Sequence, residues 1–568
     1  MTSADAVRET ESTESRATRS AQGSANKKRA HTPVPERVDV AIVGSGPGGL
    51  VSAAYLAAAG LKVAVFEAHY TAGGCVTQFS RGPRSARWNF DVGLHYVGDC
   101  RADGTIPRIL SDLGVSVDFA ELDPNGFDTL AFPDFKFAIP ADLDLYRDRL
   151  VAMFPHERRG IDGYVKLVRA VMKLSRMMDV HEGHRPPVTE LARVALDAVR
   201  LAPHQKATIG EVLGGLVKDE RVAAVMLGQS GDYGLPPSRA SALLHMGLAG
   251  HYFRGAFYPK GGGQVIADRI ADRIEALGGT VHVRTPVEKI IIEGGRAVGV
   301  RLAAKAGEPA MDVRADLVIS NADLKRTLLE LVGPEHLPGS WITRTNRFEM
   351  AAALFLTFVG MKGDGRELGM TSSNIWQFDG YDAERFYRET NGETPSMPRG
   401  CYITSASLKD PANGAHHAPA GHTNVEVMCI VPSSPAWWGA SRDEKGWGYK
   451  HEARYLERKS EIEADMVARL DRLFPGAAER VVLRESATPM THTRFTGASD
   501  GTGYGLAGTP QQFMKARPGY RGPLPGLYFV GASLRAGHGV VGAMMGGRAA
   551  ARRILADVRA RAAASVRI

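Results

Sequence analysis

"VDVAIVGSGPGGLVSAAYLAAAGLKVAVFEA", Val38 to Ala68, decides how this chain is read. A short apolar run rich in β-branched residues leads into a glycine turn, then an alanine-rich stretch closed by Gly60, then a second apolar run, so the segment predicts strand, turn, helix and strand. Gly44, Gly46 and Gly49 occupy the three glycine places of GxGxxG. The first permits a tight turn, the second a close approach of backbone to a pyrophosphate, and the third close packing of helix on strand. Ser45 and Gly48 belong to the same turn, where the free N–H groups of a helix start face the phosphates. Glu67, followed by Ala68, ends the second strand and is placed to accept hydrogen bonds from ribose hydroxyls. Val40 to Leu61 carries no charge and is long enough to raise the question of a membrane span, but "GSGPGG" interrupts it.

The pattern occurs twice more, and context separates the three. Gly503, Gly505 and Gly508 in "GYGLAG" follow no apolar strand, and "TPQQF" opens no helix, so a loop is expected. Gly537, Gly539 and Gly542 in "GHGVVG" open a helix, with too little chain left for another β-α-β unit. Only the first match has strand, helix, second strand and acid together.

The chain has 568 residues, 44% hydrophobic and 23% charged, the composition of a folded protein of two or more interwoven domains. Its formal charge of +8 is concentrated at the C-terminal end, where Arg548 to Ile568 holds six arginines and one aspartate. No nucleic-acid motif accompanies them, and a solvated helix face is the reading. Cys75, Cys100, Cys401 and Cys429 are scattered without a CxxC pair, which argues against zinc and a disulfide framework and fits a cytoplasmic protein. Cys75 reads as a small buried thiol, and the His416–His417 pair lacks carboxylate neighbours in its loop, so no metal is expected.

The expected organisation is a disordered N-terminal extension over 1–36, then an α/β nucleotide-binding domain in three pieces, 37–100, 256–330 and 486–568. Between them lie a largely helical substrate or lid region, 101–255, and a mixed α+β substrate domain, 331–485. In "YVKLVRAVMKLSRMMDV" one stripe is basic and another apolar, a helix able to lie on a membrane surface or to pack on its own core.

"VAIVGSGPGGLVSAAYLAAAG", "FDVGLHYVG", "YPKGGGQVIADRI" and "GLYFVGASLRAGHGVVGAMMGG" stand in the order and spacing of one family. The chain resembles the phytoene desaturase, carotenoid isomerase and retinol saturase group of FAD-dependent oxidoreductases over nearly all of its length after residue 36. "FDVGLHYVG" and "SASLKDP" look more like the saturase and isomerase branch. The resemblance implies a discontinuous Rossmann-like FAD domain with its flavin ring against the closing helix, where Gly539, Val540 and Val541 follow the strand end at Gly531. It also implies cofactor contacts at Gly73, Gly74 and Val287. Ser533 stands near the position where relatives carry an acid for the ribityl chain, which leaves that contact open.

His95 and His538 are the expected proton-transfer residues, since histidine titrates near neutrality; each can equally be a hydrogen-bonding structural histidine. Tyr96, His251 and Tyr258 are expected to line a substrate tunnel, with packing as the alternative. The expected function is oxidation or reduction of C–C bonds in a hydrophobic isoprenoid, with a separate electron donor or acceptor, a soluble or membrane-surface location and no nucleic-acid partner. Flavin-dependent cis-trans isomerisation, amine oxidation and a non-catalytic prenyl-binding escort role are the alternatives. An amine oxidase calls for an aromatic cage near the closing helix, and "GHGVVGAMMGG" supplies none.

Overall fold

Strand Arg37–Val43, buried through its apolar half, lies at the centre of a seven-stranded sheet in the computed structural model. The model describes residues 25–181, 186–305, 307, 309–391, 395–441 and 448–565, with backbone alone from 561. The central strand pairs in parallel with Val63–Phe66 on one side and Met311–Ser320 on the other. Thr280–His282 extends the parallel array beyond Val63–Phe66. Met311–Ser320 divides its length: its first half runs antiparallel to Arg296–Leu302, and its last three residues run parallel to Leu527–Phe529. One layer of an α/β domain is thus drawn from three distant parts of the chain.

Helix Pro47–Ala58 packs on this sheet with almost every small residue buried. Helix Gly539–Ser565 crosses it closely: a Cβ at Gly547 would fall 2.5 Å from the Gly48 carbonyl oxygen, and one at Gly48 would fall 3.1 Å from that of Ala543. Glycine is needed on both sides of this crossing. On the same face lies helix Gln264–Ala276, which buries Ile266, Ile270 and Ile274, four residues apart.

A second seven-stranded sheet runs in the order Val481–Ala487, Ala353–Lys362, His422–Val431, Gly400–Thr404, Asn374–Phe378, Asp128–Ala131, Lys136–Ile139. Alternation along its strands sends Phe355, Val359 and Val427 to a core under helix Ala453–Leu473, and Leu356, Phe358 and Met428 to the opposite face. That face looks toward the helices between Leu143 and Tyr252. The hairpin Asp128–Ile139 belongs to this sheet, and Phe119–Glu121 pairs with Ala256–Pro259, so the region 101–255 is helical with strands that tie it to both neighbours.

Two expectations about charge are corrected. Residues 25–31 form a helix rather than part of a disordered extension, because Arg29 is buried against Glu275 at 2.7 Å and Asp272 at 2.6 Å, acids displayed by helix Gln264–Ala276. The basic C-terminal helix is not simply solvated: Arg548 is buried and pairs at 2.8 Å with buried Asp179, near the end of helix Arg158–Val180. These ion pairs join segments remote in sequence, which composition does not reveal. Among the described residues, no helix is long and apolar enough to cross a membrane.

Candidate active site

The glycine turn after Arg37–Val43 has φ +88° at Gly44, a conformation that favours glycine. A Cβ at Gly49 would lie 2.3 Å from the Gly44 carbonyl oxygen, and one at Gly46 would lie 2.6 Å from Asn321 Nδ2. The Asn321 Oδ1 accepts from Gly49 N–H at 3.1 Å, so Asn321, at the end of strand Met311–Ser320, braces the turn from behind. Gly46 has no side chain to cap the helix, Pro47 has no N–H and Asn321 takes that of Gly49, so the N–H groups of Gly46 and Gly48 are the donors this turn offers an anion.

Glu67 gathers the adjoining segments. Its Oε2 accepts from Ser45 N–H at 2.8 Å and Ser45 Oγ–H at 2.6 Å, and its Oε1 from His69 N–H at 2.8 Å. Ser45 Oγ accepts in turn from Gly73 N–H at 3.1 Å. Gly74 approaches Gly46 so closely that a Cβ would sit 3.0 Å from the Gly46 Cα. The exposed Ala68 continues past Glu67, and Thr285 N–H donates to Glu67 O at 2.7 Å, which brings the start of strand Val287–Glu293 alongside.

The closing segment meets the turn directly, since a Cβ at Gly48 would lie 3.0 Å from Gly531 N. Gly531, Gly537 and Gly539 all have positive φ, and a Cβ built at Gly537 or Gly539 meets no atom within 4 Å. Backbone therefore borders open space at the mouth of the last helix, the cradle that the flat ring of FAD requires. The uncapped helix start, the Glu67 carboxylate and this glycine-lined space fit the cofactor.

Beyond Gly539 lies an open-mouthed cavity with about 1130 Å³ of space unoccupied by atoms, open solvent at its mouth included. Val540, Val541 and His538 border it on the closing-helix side, and His95, Tyr96 and His251 border it on another. Trp376, Tyr402, Tyr252 and Tyr504 complete an aromatic wall drawn from four separate elements. Tyr96 stacks on Tyr252 at 4.5 Å between ring centroids, and Tyr504 meets the His538 ring edge-on at 5.4 Å. The aromatic surround that the closing helix lacks is therefore supplied by distant residues, and its absence from "GHGVVGAMMGG" does not separate amine from polyene chemistry. "GYGLAG" is a loop as expected, yet it delivers Tyr504 to the cavity.

His95 Nδ1 lies 2.7 Å from Oε2 of buried Glu426. Lys409, from "SASLKDP", donates to the His95 carbonyl oxygen at 2.6 Å and also to Thr404; burial pushes its pKa down to about 8, against the pull of Glu426 and Asp91. Beneath them Asp91, its pKa raised by desolvation and by Glu426, accepts from Gly263 N–H at 3.2 Å and from Tyr258.

Tyr258 is wholly buried in this network and does not border the cavity, a correction to its expected place in the tunnel. The ground for choosing His538 is corrected too: desolvation first and then Arg517 lower its pKa to about 4, so it is neutral at neutral pH, with Nε2 3.2 Å from the Asp232 carbonyl oxygen. His251 is likewise held near 4 by desolvation, and its Nε2 accepts from Gly98 N–H at 2.8 Å. Ser533 Oγ accepts from Leu506 N–H at 3.3 Å and so serves the neighbouring loop. Desolvation raises the Cys75 pKa to about 11, which keeps it a thiol. His416 bonds Gln78 and His417 bonds Asp410.

Sequence reading missed Asn321, Glu426, Lys409 and two acids, the buried Asp128 and the half-buried Asp232. Asp128 accepts from Gln229 and Asn374 at 2.8 Å and from Trp376 at 3.0 Å. Asp232 borders the cavity with its pKa raised to about 8, by desolvation first and by Asp128 second. An isolated Asp in "GDYG" carries no signal of this; only the fold places it.

A family model described as flavin containing amine oxidoreductase matches residues 47–555. The chain is similar to an all-trans-retinol 13,14-reductase of Danio rerio, 28% identical over 521 residues that cover 88% of this chain and 83% of that protein. It is also similar to prolycopene isomerase 1, chloroplastic, of an Oncidium hybrid cultivar, 25% identical over 531 residues that cover 92% of this chain and 84% of that protein. An oxidoreductase from Methanosarcina mazei shares the fold with a TM-score of 0.59 at 19% identity, across 90% of this chain and 98% of that one.

Proposed function

The chain belongs to the flavin-containing amine oxidoreductase family and is an FAD-dependent oxidoreductase, and from that premise we propose that it adds hydrogen across a double bond of a long conjugated isoprenoid, a retinoid or carotenoid. The observation that carries the reading is the large aromatic-walled cavity ending at the open glycines of the closing helix. Similarity to a retinol 13,14-reductase over most of both chains supports the same reaction class. Similarity to a prolycopene isomerase supports cis-trans isomerisation as the second reading.

In this proposal the turn at Gly44, Ser45, Gly46, Gly48 and Gly49 holds the pyrophosphate, Glu67 and Ala68 the ribose, and Gly73, Gly74 and Val287 the adenosine side. Gly531, Gly539, Val540 and Val541 face the ring. FAD, when bound, exchanges a hydride with a carbon of the substrate. The chain's own work is to exclude water, orient the polyene between Tyr96, Tyr252 and Trp376, and manage protons. His95 borders the cavity with Nδ1 2.7 Å from Glu426 Oε2, the place of a residue that returns protons to the site after turnover. In this reading a separate electron carrier completes the redox cycle, as the described residues supply one strand, glycine turn and helix unit for a dinucleotide.

A water-insoluble substrate also calls for a lipid surface. Helix Val188–Leu201 turns Asp197 and Leu201 inward and exposes Val188, Leu196 and Val199 at 76, 80 and 70%. With Ala192 and Ala195 these fall within an arc of about 100° at the helical repeat. Exposed Arg193 lies beside the stripe, as do Lys173 and Arg200, both paired with Asp197; the apolar arc is the part of this helix suited to a membrane surface.

The test of substrate class is product analysis after the protein is made in a carotenoid- or retinoid-producing host. A polyene product two hydrogens heavier supports saturation, and an unchanged mass with altered double-bond geometry supports isomerisation. No new polyene in a host that accumulates FAD-loaded protein overturns the reading.

A further inference from the structure

One tyrosine hydroxyl stands between two carboxyl groups in this site. Tyr96 Oη lies 3.0 Å from Asp128 Oδ2 and 3.0 Å from Asp232 Oδ2. A tyrosine hydroxyl donates once. The second contact therefore has Tyr96 as acceptor, and one of the two carboxyls carries a proton; two carboxylates here would leave an uncompensated oxygen contact away from water.

The surroundings decide which. Asp128 is wholly buried and receives three fixed N–H donors, from Gln229, Asn374 and Trp376, which stabilise a carboxylate. Asp232 is met by hydroxyls, those of Tyr96 and Tyr252, and its remaining exposed surface borders the cavity. Tyr387, Tyr402, Tyr504 and the neutral His538 face it from the other packed elements, with no cation among them. The hydrogen-bond order is then Asp232 to Tyr96 to Asp128.

We propose that Asp232 is held as a neutral carboxylic acid and is the proton donor of this site, delivering its hydrogen to one carbon of the substrate double bond. The inference rests on the polyene reading above. In the step, one carbon of the double bond would receive a hydride with its electron pair from reduced flavin, which would give up that hydrogen and return to its oxidised state. The π electrons form the C–H bond to the proton of Asp232, whose O–H electrons stay on oxygen. The resulting carboxylate regains a proton from water, and the hydride is replenished by an external reductant. Tyr96 is a positioning residue that holds Asp232 toward the cavity. The raised pKa of about 8 agrees with this protonation state and sets its pH limit.

The experiment uses the FAD-loaded protein under argon, with dithionite as reductant and an all-trans polyene as substrate. Asp232→Asn is expected to keep flavin content and polyene binding while kcat falls about 100-fold or more. Wild-type kcat is expected to fall as pH rises through about 8, and Tyr96→Phe to shift that limb and to lower kcat by less than Asp232→Asn does. Infrared spectroscopy of substrate-free protein at pH 7 is expected to show a protonated-carboxyl band that Asp232→Asn abolishes. An Asp232→Asn enzyme within about threefold of wild-type kcat and with an unshifted pH limb overturns the proposal. If wild type leaves polyenes unchanged, the substrate reading fails separately, and the infrared band still decides: its absence overturns the neutral acid.

Discussion

The nucleotide turn and the cavity are built on opposite plans. The turn draws its three essential glycines from six consecutive residues, Gly44 to Gly49; Gly44 and Gly49 have local reasons, a positive φ and a carbonyl 2.3 Å from where a Cβ would be, and only Gly46 answers to a distant side chain, that of Asn321. The cavity draws Tyr96, Asp232, Tyr252, Trp376, Tyr402, Tyr504 and His538 from loops, helices and strands more than 400 residues apart. A site whose geometry comes from backbone conformation is compact in sequence. A site whose chemistry comes from converging side chains is not, because any surface of the fold can contribute.

The sharpest way to break that contrast is Gly49→Val, which forces a side chain onto the Gly44 carbonyl. We expect purified protein to lose flavin absorbance by about tenfold or more, since the turn cannot keep its shape. Normal flavin content would show that the turn is not the cofactor's anchor. Asp128→Asn tests the other plan. It sets an amide against three N–H donors in the core and should cost roughly 2–4 kcal/mol in denaturant unfolding, with the flavin-binding turn undisturbed. Glu426→Gln removes the anionic neighbour of His95; kcat should fall about 10- to 100-fold with flavin content unchanged. A vesicle test reaches the outer surface: Leu196→Asp with Val199→Asp should weaken flotation with anionic liposomes by about tenfold and leave turnover of detergent-dispersed substrate intact.

Acid should act on the fold through buried histidines. His251 and His538, which border the cavity, and His245 and His492, which lie outside its lining, are each held near 4, chiefly by desolvation, so the folded state leaves them neutral. Between about pH 6.5 and 4 the unfolded chain binds protons that the folded chain refuses. Stability present above the unfolded pKa is thus lost as pH falls through that window, which thermal unfolding across a pH series would measure.

Sequence made the first domain legible because periodicity and glycine spacing report local conformation. Val40 to Val43, Val63 to Phe66 and the glycines between them dictate strand, turn and strand without help from elsewhere. The closing helix was readable for the same reason, and Gly537 and Gly539 do border open space. Residues whose role depends on a distant partner were not legible. Tyr258 had the right character for a tunnel but turns to Asp91. Arg29 belonged to a polar, weakly patterned segment until three acids of another helix enclosed it. Asp232 needed Tyr96 and Asp128, each more than 100 residues away, to become an acid worth noticing.

The central claim, a cofactor spanning the turn and the closing glycines with its ring facing a polyene cavity, is tested most directly by anaerobic mixing of dithionite-reduced, FAD-loaded protein with an all-trans polyene while both absorption spectra are recorded. The account predicts a blue-shifted polyene band, with the flavin band returning in equal amount when a double bond is saturated. Unchanged flavin and polyene spectra in this mixture, together with bleaching of the oxidised flavin by simple amines, would contradict it.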